Sequence, residues 1–400
     1  MKILVCYTRF PWPLNKGDML TVYKLLEFLS GNHEVDLLTA KPLDESYLEY
    51  LPERLGEVHM VSDSMVSRIP RSARSLFTDR CLQVDAFMSG SFIEERQRLL
   101  DTGNYDLVYS HYIRSFGHED FDSHGARKVI GLQLSHQAHF EKAAKNESNA
   151  IRRWLYAKET ERLKVWESRI AGYNDLIHLI SQRDLEGIDN NDAWSSRVFF
   201  NPHGVDEKKF VPSPESRVEG RVVFTGNLGF QANEDAVVML TEEIWPHIER
   251  ECPNAELLVA GARPTATVRA AVGAVRNGTL VASPEDMVEV IQSGDVAVDP
   301  LRVGAGLQNK ILEAMACGLP VVATPLANGG IGARDRREII IESDPRSFAD
   351  EVICLINDRE RNAELGVKAR DFIEKLWTWE YHFQQLEERW TGLVNEKAMA

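Results

Sequence analysis

The stretch DPLRVGAGLQNKILEAMACGLPVVAT, from Asp299 to Thr324, decides how this chain is read. It reads as a strand end, a glycine loop, a helix over 307–316, a tight turn and a strand over 319–323. Gly304 and Gly306 remove side chains just where the helix begins. That exposes backbone N–H groups and the positive end of the helix dipole, where an anion such as a diphosphate fits. Arg302 and Lys310 bring cationic charge to the same place. Glu313 lies seven residues after Gly306, close to two helical turns, so it projects from about the same face as the loop. A carboxylate there can accept hydrogen bonds from ribose hydroxyls. The same residues also fit a glycine-started helix with Glu313 in a structural ion pair, and spacing alone leaves both open.

Outward from this stretch, short apolar runs alternate with longer amphipathic ones. Strands are predicted over 221–225, 256–260, 278–281 and 295–298, with a helix over 233–248. In the first half, strands are predicted over 2–7, 34–39, 57–61, 106–109, 128–132, 176–180 and 197–200, with a helix over 19–29. Short apolar strands alternating with helices argue for α/β architecture, a parallel sheet covered on both faces. A boundary falls near Asn201-Pro202-His203-Gly204-Val205-Asp206. The run to Gly220, with Pro212 and Pro214, has linker chemistry. Two doubly wound domains are therefore expected, 1–203 and 204–375, followed by a helical segment, 376–400. Ligands in such folds sit at the carboxyl ends of the strands.

Two segments depart from the rhythm. Residues 137–171 are long, charged and helical in composition, with Trp154, Leu163, Trp166 and Ile170 as apolar anchors. They read either as a solvated helical insertion or as a face for an acceptor or a membrane surface. Residues 65–80 place Arg68, Arg71, Arg74 and Arg80 among apolar residues, an exposed loop or a lipid-diphosphate contact.

Composition narrows the classes. With 46 Lys+Arg against 61 Asp+Glu, the formal charge is −15, which argues against a dedicated nucleic-acid binder. Hydrophobic residues at 44% in 400 residues suffice for a core in each of two domains. No run reaches the roughly 18 apolar residues of a spanning helix. The opening MKILVCY meets Arg9 at once and reads as a buried strand rather than a leader. Five scattered cysteines (Cys6, Cys81, Cys252, Cys317, Cys354) without a CxxC pair suggest neither zinc nor disulfides. The expected location is the cytoplasm, with peripheral contact at the inner face of the membrane as a further expectation.

The run LQNKILEAMACGLPVVAT resembles the donor-nucleotide motif of the GT-B glycosyltransferases, specifically the retaining enzymes of family 4. VVFTGNLGFQANEDAV (222–237) is similar to that family's first C-domain strand and glycine loop. AELLVAGARP (255–264) is similar to its second strand, and KILVCYTRFPWPLNKGD with HEVDLLT to its N-domain start. The GNL…N opening and the GLQNKILEAMA run are similar to sugar transferases of bacterial exopolysaccharide clusters. The resemblance implies the GT-B fold, with two Rossmann-like domains facing a central cleft and a last helix crossing back to the first domain.

It also implies roles. Glu313 matches the second glutamate of the family's Glu-x7-Glu motif, which binds the donor ribose. The first glutamate falls on Ala305, a departure at the sugar-contacting position. Backbone groups of the loop from Gly304 through Gly306, Leu307, Gln308 and Asn309 would then contact sugar and phosphate. The family's Arg and Lys in the loop after Gly226 fall on Asn227 and Asn233. Lys310, then Arg302, then Arg263 are left as diphosphate cations. An uncompensated diphosphate in a low-dielectric cleft is costly, so some cation is required. Gly17, in Lys16-Gly17-Asp18, would let the N-domain backbone approach the donor phosphate and acceptor, with Asp18 as helix cap. His136 matches the histidine that contacts the donor sugar. His111 is a second candidate, and each histidine also fits an ordinary loop position.

The implied reaction is metal-independent transfer with retention, carried by His136, Lys310 and Glu313, with no resident cofactor. The donor is a nucleotide sugar, with UDP preferred slightly over GDP. The acceptor is a glycan, a lipid-linked sugar or a small molecule. An epimerase of the same fold and a non-catalytic nucleotide-sugar-binding protein are the alternatives.

Overall fold

The computed structural model describes residues 1–14, 16–62, 75, 78–186, 196–304 and 306–398. The chain divides into two compact units. One comprises Met1–His203 and Phe383–Ala400; the other is Gly204–His382.

The first unit runs β1 (Lys2–Tyr7), α1 (Gly17–Leu29), β2 (Glu34–Ala40), β3 (Val58–Val61), α2 (Gly90–Gly103), β4 (Leu107–His111), β5 (Arg127–Gln133), α3 (His136–Asn146), α4 (Ala150–Tyr173), β6 (Leu176–Leu179) and β7 (Val198–Phe200). Its strands order as β3-β2-β1-β4-β5-β6-β7 and pair in parallel throughout. Ile3, Leu4, Val5 and Cys6 of β1 are fully buried, as expected of a central strand covered on both faces.

The second unit repeats the plan. It runs β8 (Arg221–Thr225), α5 (Gln231–Met239), β9 (Glu256–Gly261), α6 (Ala266–Gly273), β10 (Gly278–Ala282), β11 (Val296–Asp299), α7 (Asn309–Ala316), β12 (Val321–Ala323), β13 (Ile340–Ile341), α8 (Pro345–Asn357) and α9 (Arg359–Leu376). The parallel order is β10-β9-β8-β11-β12-β13. In each sheet the connection reverses direction once, between β1 and β4 and between β8 and β11. Those reversals leave a crevice at the carboxyl ends of the strands.

The final helix, α10 (Trp379–Ala398), returns to the first unit over its later turns. Trp390 is wholly buried with its ring centroid 5.1 Å from that of Tyr109 on β4. Arg127 donates from Nε to the Leu393 carbonyl at 3.0 Å. Trp390 thus belongs to the buried core of that unit.

Several boundaries differ from the sequence reading. The helix expected over 307–316 begins only at Asn309: Gly304 and Gly306 hold φ of +126° and +98°, and Gln308, at φ −92° and ψ 84°, is still outside the helical region. The helix expected over 233–248 is interrupted by a widened turn at Leu240–Ile244 before resuming at Trp245, where Pro246 withholds an N–H. The 137–171 segment is two helices, separated where Asn149 caps α4 through the N–H groups of Ile151 and Arg152. Most of the arginine-rich run at 65–80, and Ala305, lie outside the described residues.

Candidate functional site

In the second unit the crevice lies between the loop after β8 and the loop after β11. Gly226, just after β8, and Gly261, the last residue of β9, approach so closely that a Cβ on Gly261 would sit 1.6 Å from the Gly226 carbonyl oxygen. Both have φ of +153°, so glycine is required at this crossing. The Asn233 side chain on α5 closes the loop by donating to the Asn227 carbonyl at 3.0 Å. Lys310 Nζ donates to Asn233 Oδ1 at 2.7 Å, and the same ammonium lies 3.0 Å from Asp299 Oδ1 and over the Phe224 ring. One lysine on α7 therefore ties the glycine loop after β8 to the end of β11.

Helix α7 has no side-chain cap, which leaves its first N–H groups to a ligand. Gly306 has open space where a side chain would stand. A Cβ on Gly330 would stand 3.5 Å from Leu307 Cα, so the turn after β12 runs beside the loop. Gln308 donates from Nε2 to the Gly306 carbonyl at 3.1 Å, and Asn309 is exposed at the helix start.

Glu313 is the chemically unusual member. Burial raises its carboxyl to about 7, opposed by the ammonium of Lys209. Among the described residues its carboxylate makes no hydrogen bond or ion pair, so the structural ion pair left open by the spacing is not formed. Lys209 follows Val205-Asp206 in sequence, and pattern reading gave no signal for it.

The three candidate cations are held differently. Lys310 is compensated by Asp299, whose own carboxyl is raised by burial and lowered by that lysine. Arg302 makes a two-armed ion pair to Asp235, at 2.9 and 3.1 Å, and reaches Glu243 at 2.8 Å. Arg263 is exposed at the end of β9 with φ of +55°, a strained value for a residue with a side chain, and makes no ion pair among the described residues. Its backbone abuts Gly229. The order of availability is thus the reverse of the sequence ranking for the two arginines. An Arg263→Ala chain is expected to bind a nucleoside diphosphate about tenfold more weakly, the scale of one charge-assisted hydrogen bond. Arg302→Ala is expected to stay within about twofold, since exposed ion pairs contribute little. Calorimetric titration of both variants with UDP checks this, and a larger effect at Arg302 would restore the sequence ranking.

In the first unit, Gly17 opens α1 with no atom near its Cβ position. Asp18 does not cap that helix. Its carboxylate accepts from Tyr7 Oη at 2.9 Å and from Arg9 at 2.8 Å, tying the β1 loop down. His111 is not in a loop. It ends β4, fully buried, with Nδ1 2.9 Å from Tyr109 Oη. Burial holds it well below its ordinary pKa, helped by His178 and His203. It is a core histidine. His136 opens α3 directly after β5, which ends in Gln133 at φ of +68°. It too is buried, its pKa lowered to about 3 by burial and then by Arg114 and His139, so it is neutral at physiological pH. Its nitrogens have no side-chain hydrogen-bond partner among the described residues, and the Leu134 backbone beside the ring partly opposes the lowering. The Tyr112 ring stands edge-on to it, centroids 5.3 Å apart.

No group of three or more His, Cys, Asp or Glu able to hold a metal ion occurs among the described residues, and none of their helices is long and apolar enough to cross a membrane.

Residues 219–358 match the family model described as glycosyl transferases group 1. Over 394 residues the chain is 23% identical to an uncharacterized 44.6 kDa protein in the cps region of Klebsiella pneumoniae, covering 94% of this chain and 96% of that one. It is 27% identical over 237 residues to a GDP-mannose-dependent monoacylated alpha-(1-6)-phosphatidylinositol monomannoside mannosyltransferase of Corynebacterium glutamicum, covering 53% and 61%. Among solved structures, Anabaena HepE in complex with UDP superposes with a TM-score of 0.64 at 13% identity, covering 98% of this chain and all of that one. The sucrose-phosphate synthase of Thermosynechococcus elongatus superposes with a TM-score of 0.65 at 18% identity, covering 98% and 99%. These likenesses identify the fold as GT-B.

Proposed function

We propose that this chain, which has the GT-B fold and whose residues 219–358 match the model of the group 1 glycosyl transferases, transfers a sugar from a nucleotide-sugar donor to an acceptor hydroxyl with retention. The observation that carries the donor assignment is Glu313, a half-buried carboxylate without an ion pair on the helix that starts at the glycine loop. Ribose hydroxyls are donors that such an acceptor-only group needs. The diphosphate takes the N–H groups at the start of α7 and the charges of Lys310 and Arg263. His136, neutral and without a side-chain partner, supplies a sugar hydroxyl contact.

In the transfer, the bond from the anomeric carbon to the acceptor oxygen forms on the face from which the diphosphate leaves. The acceptor proton passes to the departing phosphate oxygen. The chain contributes positioning and stabilisation of charge on the leaving group, without a resident metal or cofactor. A UDP-sugar is preferred over a GDP-sugar, in line with the UDP named for HepE, although the Corynebacterium relative is GDP-mannose-dependent. The cps-region relative supports cell-surface polysaccharide or glycoconjugate synthesis in the cytoplasm, with a glycan or lipid-linked acceptor.

The test is calorimetry with UDP, GDP, ADP and dTDP in EDTA, followed by transfer assays with the matching sugar donors. Selective, metal-free binding of one nucleotide and an α-configured product from an α-linked donor are expected. Binding without turnover across acceptor classes would favour a non-catalytic protein. Interconversion of the free donor would favour an epimerase.

A further inference from the structure

The sequence reading left the charged segment that became α4 as a solvated insertion or an acceptor or membrane face, and the structure gives one of its glutamates an uncommon place. Glu167 is wholly buried, beside Trp166, whose Nε1 donates to the Gly117 carbonyl at 2.8 Å and fixes this turn of the helix. Its carboxylate accepts the His136 N–H at 2.7 Å, the Gln137 N–H at 3.2 Å and the Ser135 hydroxyl at 3.2 Å. Ser135 in turn caps α3 through the Ala138 N–H, and Asp184 Oδ1 lies 3.4 Å from the Ser135 N–H. The first N–H groups of α3, which elsewhere invite an anion, are thus consumed from within the unit. Glu167 Oε1 also lies 3.9 Å from His136 Nδ1.

A carboxylate is an expensive group to bury, and a packed helix face needs none. What these contacts hold is the backbone of Ser135, His136 and Gln137, the three residues through which β5 turns into α3. We propose that Glu167 is a positioning residue: from α4 it fixes the backbone under His136 and so aims the imidazole at the sugar. This rests on the reading of His136 as a sugar contact. Glu167→Gln keeps an acceptor oxygen at the same reach. Glu167→Asp withdraws the carboxylate by one methylene and breaks the contacts while keeping the charge.

The experiment uses the full chain labelled at histidine 13Cε1, the His136 resonance being assigned by its loss in His136→Ala. Wild type, Glu167→Gln, Glu167→Asp and His136→Ala are compared by NMR and by titration with UDP and UDP-glucose. UDP affinity, which depends on the second unit, should stay within about twofold in all four and reports intact folding there. The His136 resonance should shift and broaden in Glu167→Asp and stay in place in Glu167→Gln. Any gain in affinity of UDP-glucose over UDP should fall by the same factor in His136→Ala and Glu167→Asp, and by no more in the double variant. An unmoved resonance in Glu167→Asp overturns the positioning role alone. A resonance that moves in Glu167→Asp while His136→Ala leaves both UDP-glucose binding and turnover unchanged overturns the His136 reading and the proposal with it.

Discussion

Replacing Glu313 by Gln should make the protein more stable and a poorer binder of its donor at once. Burial raises this carboxyl from its ordinary 4.5 to about 7. A carboxyl raised in the folded state contributes its full share of stability below pH 4.5 and loses it as pH rises through 7. The difference amounts to at most about 3 kcal/mol above pH 7, at 1.36 kcal/mol per unit. Glu313→Gln carries no charge and escapes that loss. Its melting temperature should match wild type near pH 5 and exceed it at pH 8 by on the order of 5 °C. Ligand binding should show the opposite. Hydrogen bonds from ribose hydroxyls favour the ionised carboxylate, so donor affinity should rise between pH 6 and pH 8 in wild type. In Glu313→Gln it should be flat and about 10- to 100-fold weaker, the range of a hydrogen bond to a charged group. UDP-glucose is the suitable titrant, because its diphosphate has no ionisation of its own in this range. A variant less stable than wild type at pH 8, with donor affinity intact, would make Glu313 a structural group.

Removing the charge of Lys310 should be the most damaging single change in the second unit. Asp299 is 1% exposed and ends the central strand β11, with the Lys310 ammonium as its ion-pair partner. Lys310→Met would leave that carboxylate buried without compensation, at a cost of about 3–5 kcal/mol. It would also release Asn233 and with it the loop after β8. Adding Asn at position 299 removes the orphaned charge, so the double variant Asp299→Asn/Lys310→Met should recover most of the stability in urea denaturation. Two groups in direct contact are expected to be strongly non-additive in this way. Donor affinity should not recover, because the diphosphate has lost a cation and the loop its anchor. Lys310→Met as stable as wild type would mean that the pair contributes nothing to the fold.

Both predictions turn on residues that pattern reading treated unequally. The sequence singled out Glu313 by its spacing from Gly306, since helical periodicity is a local property, and Lys310 as a cation beside the same loop. It did not single out Asp299 as Lys310's partner, nor Lys209 beside Glu313. Each is distant from its counterpart in the chain: Asp299 meets Lys310 as an ion pair where β11 and α7 pack, and Lys209 acts on Glu313 only through its charge. Arg302, ranked ahead of Arg263 from the sequence, is the one engaged in ion pairs in the structure. What decided them was the presence of Asp235 and Glu243 on neighbouring turns and the left-handed backbone at position 263.

The sequence by itself determined the class of fold and the location of the glycine loop. Apolar runs of strand length can be satisfied only by burial on both faces, and Gly226, Gly304 and Gly306 adopt backbone angles that other residues resist. Only the tertiary structure decided which polar groups are left without partners. A histidine written just after a strand reads the same at 111 and 136. One is a core residue bonded to Tyr109, and the other stands over a carboxylate delivered from a helix 31 residues later. The physical reason is that burial and hydrogen-bond satisfaction belong to the packed neighbourhood, and no spacing along one strand or helix encodes it.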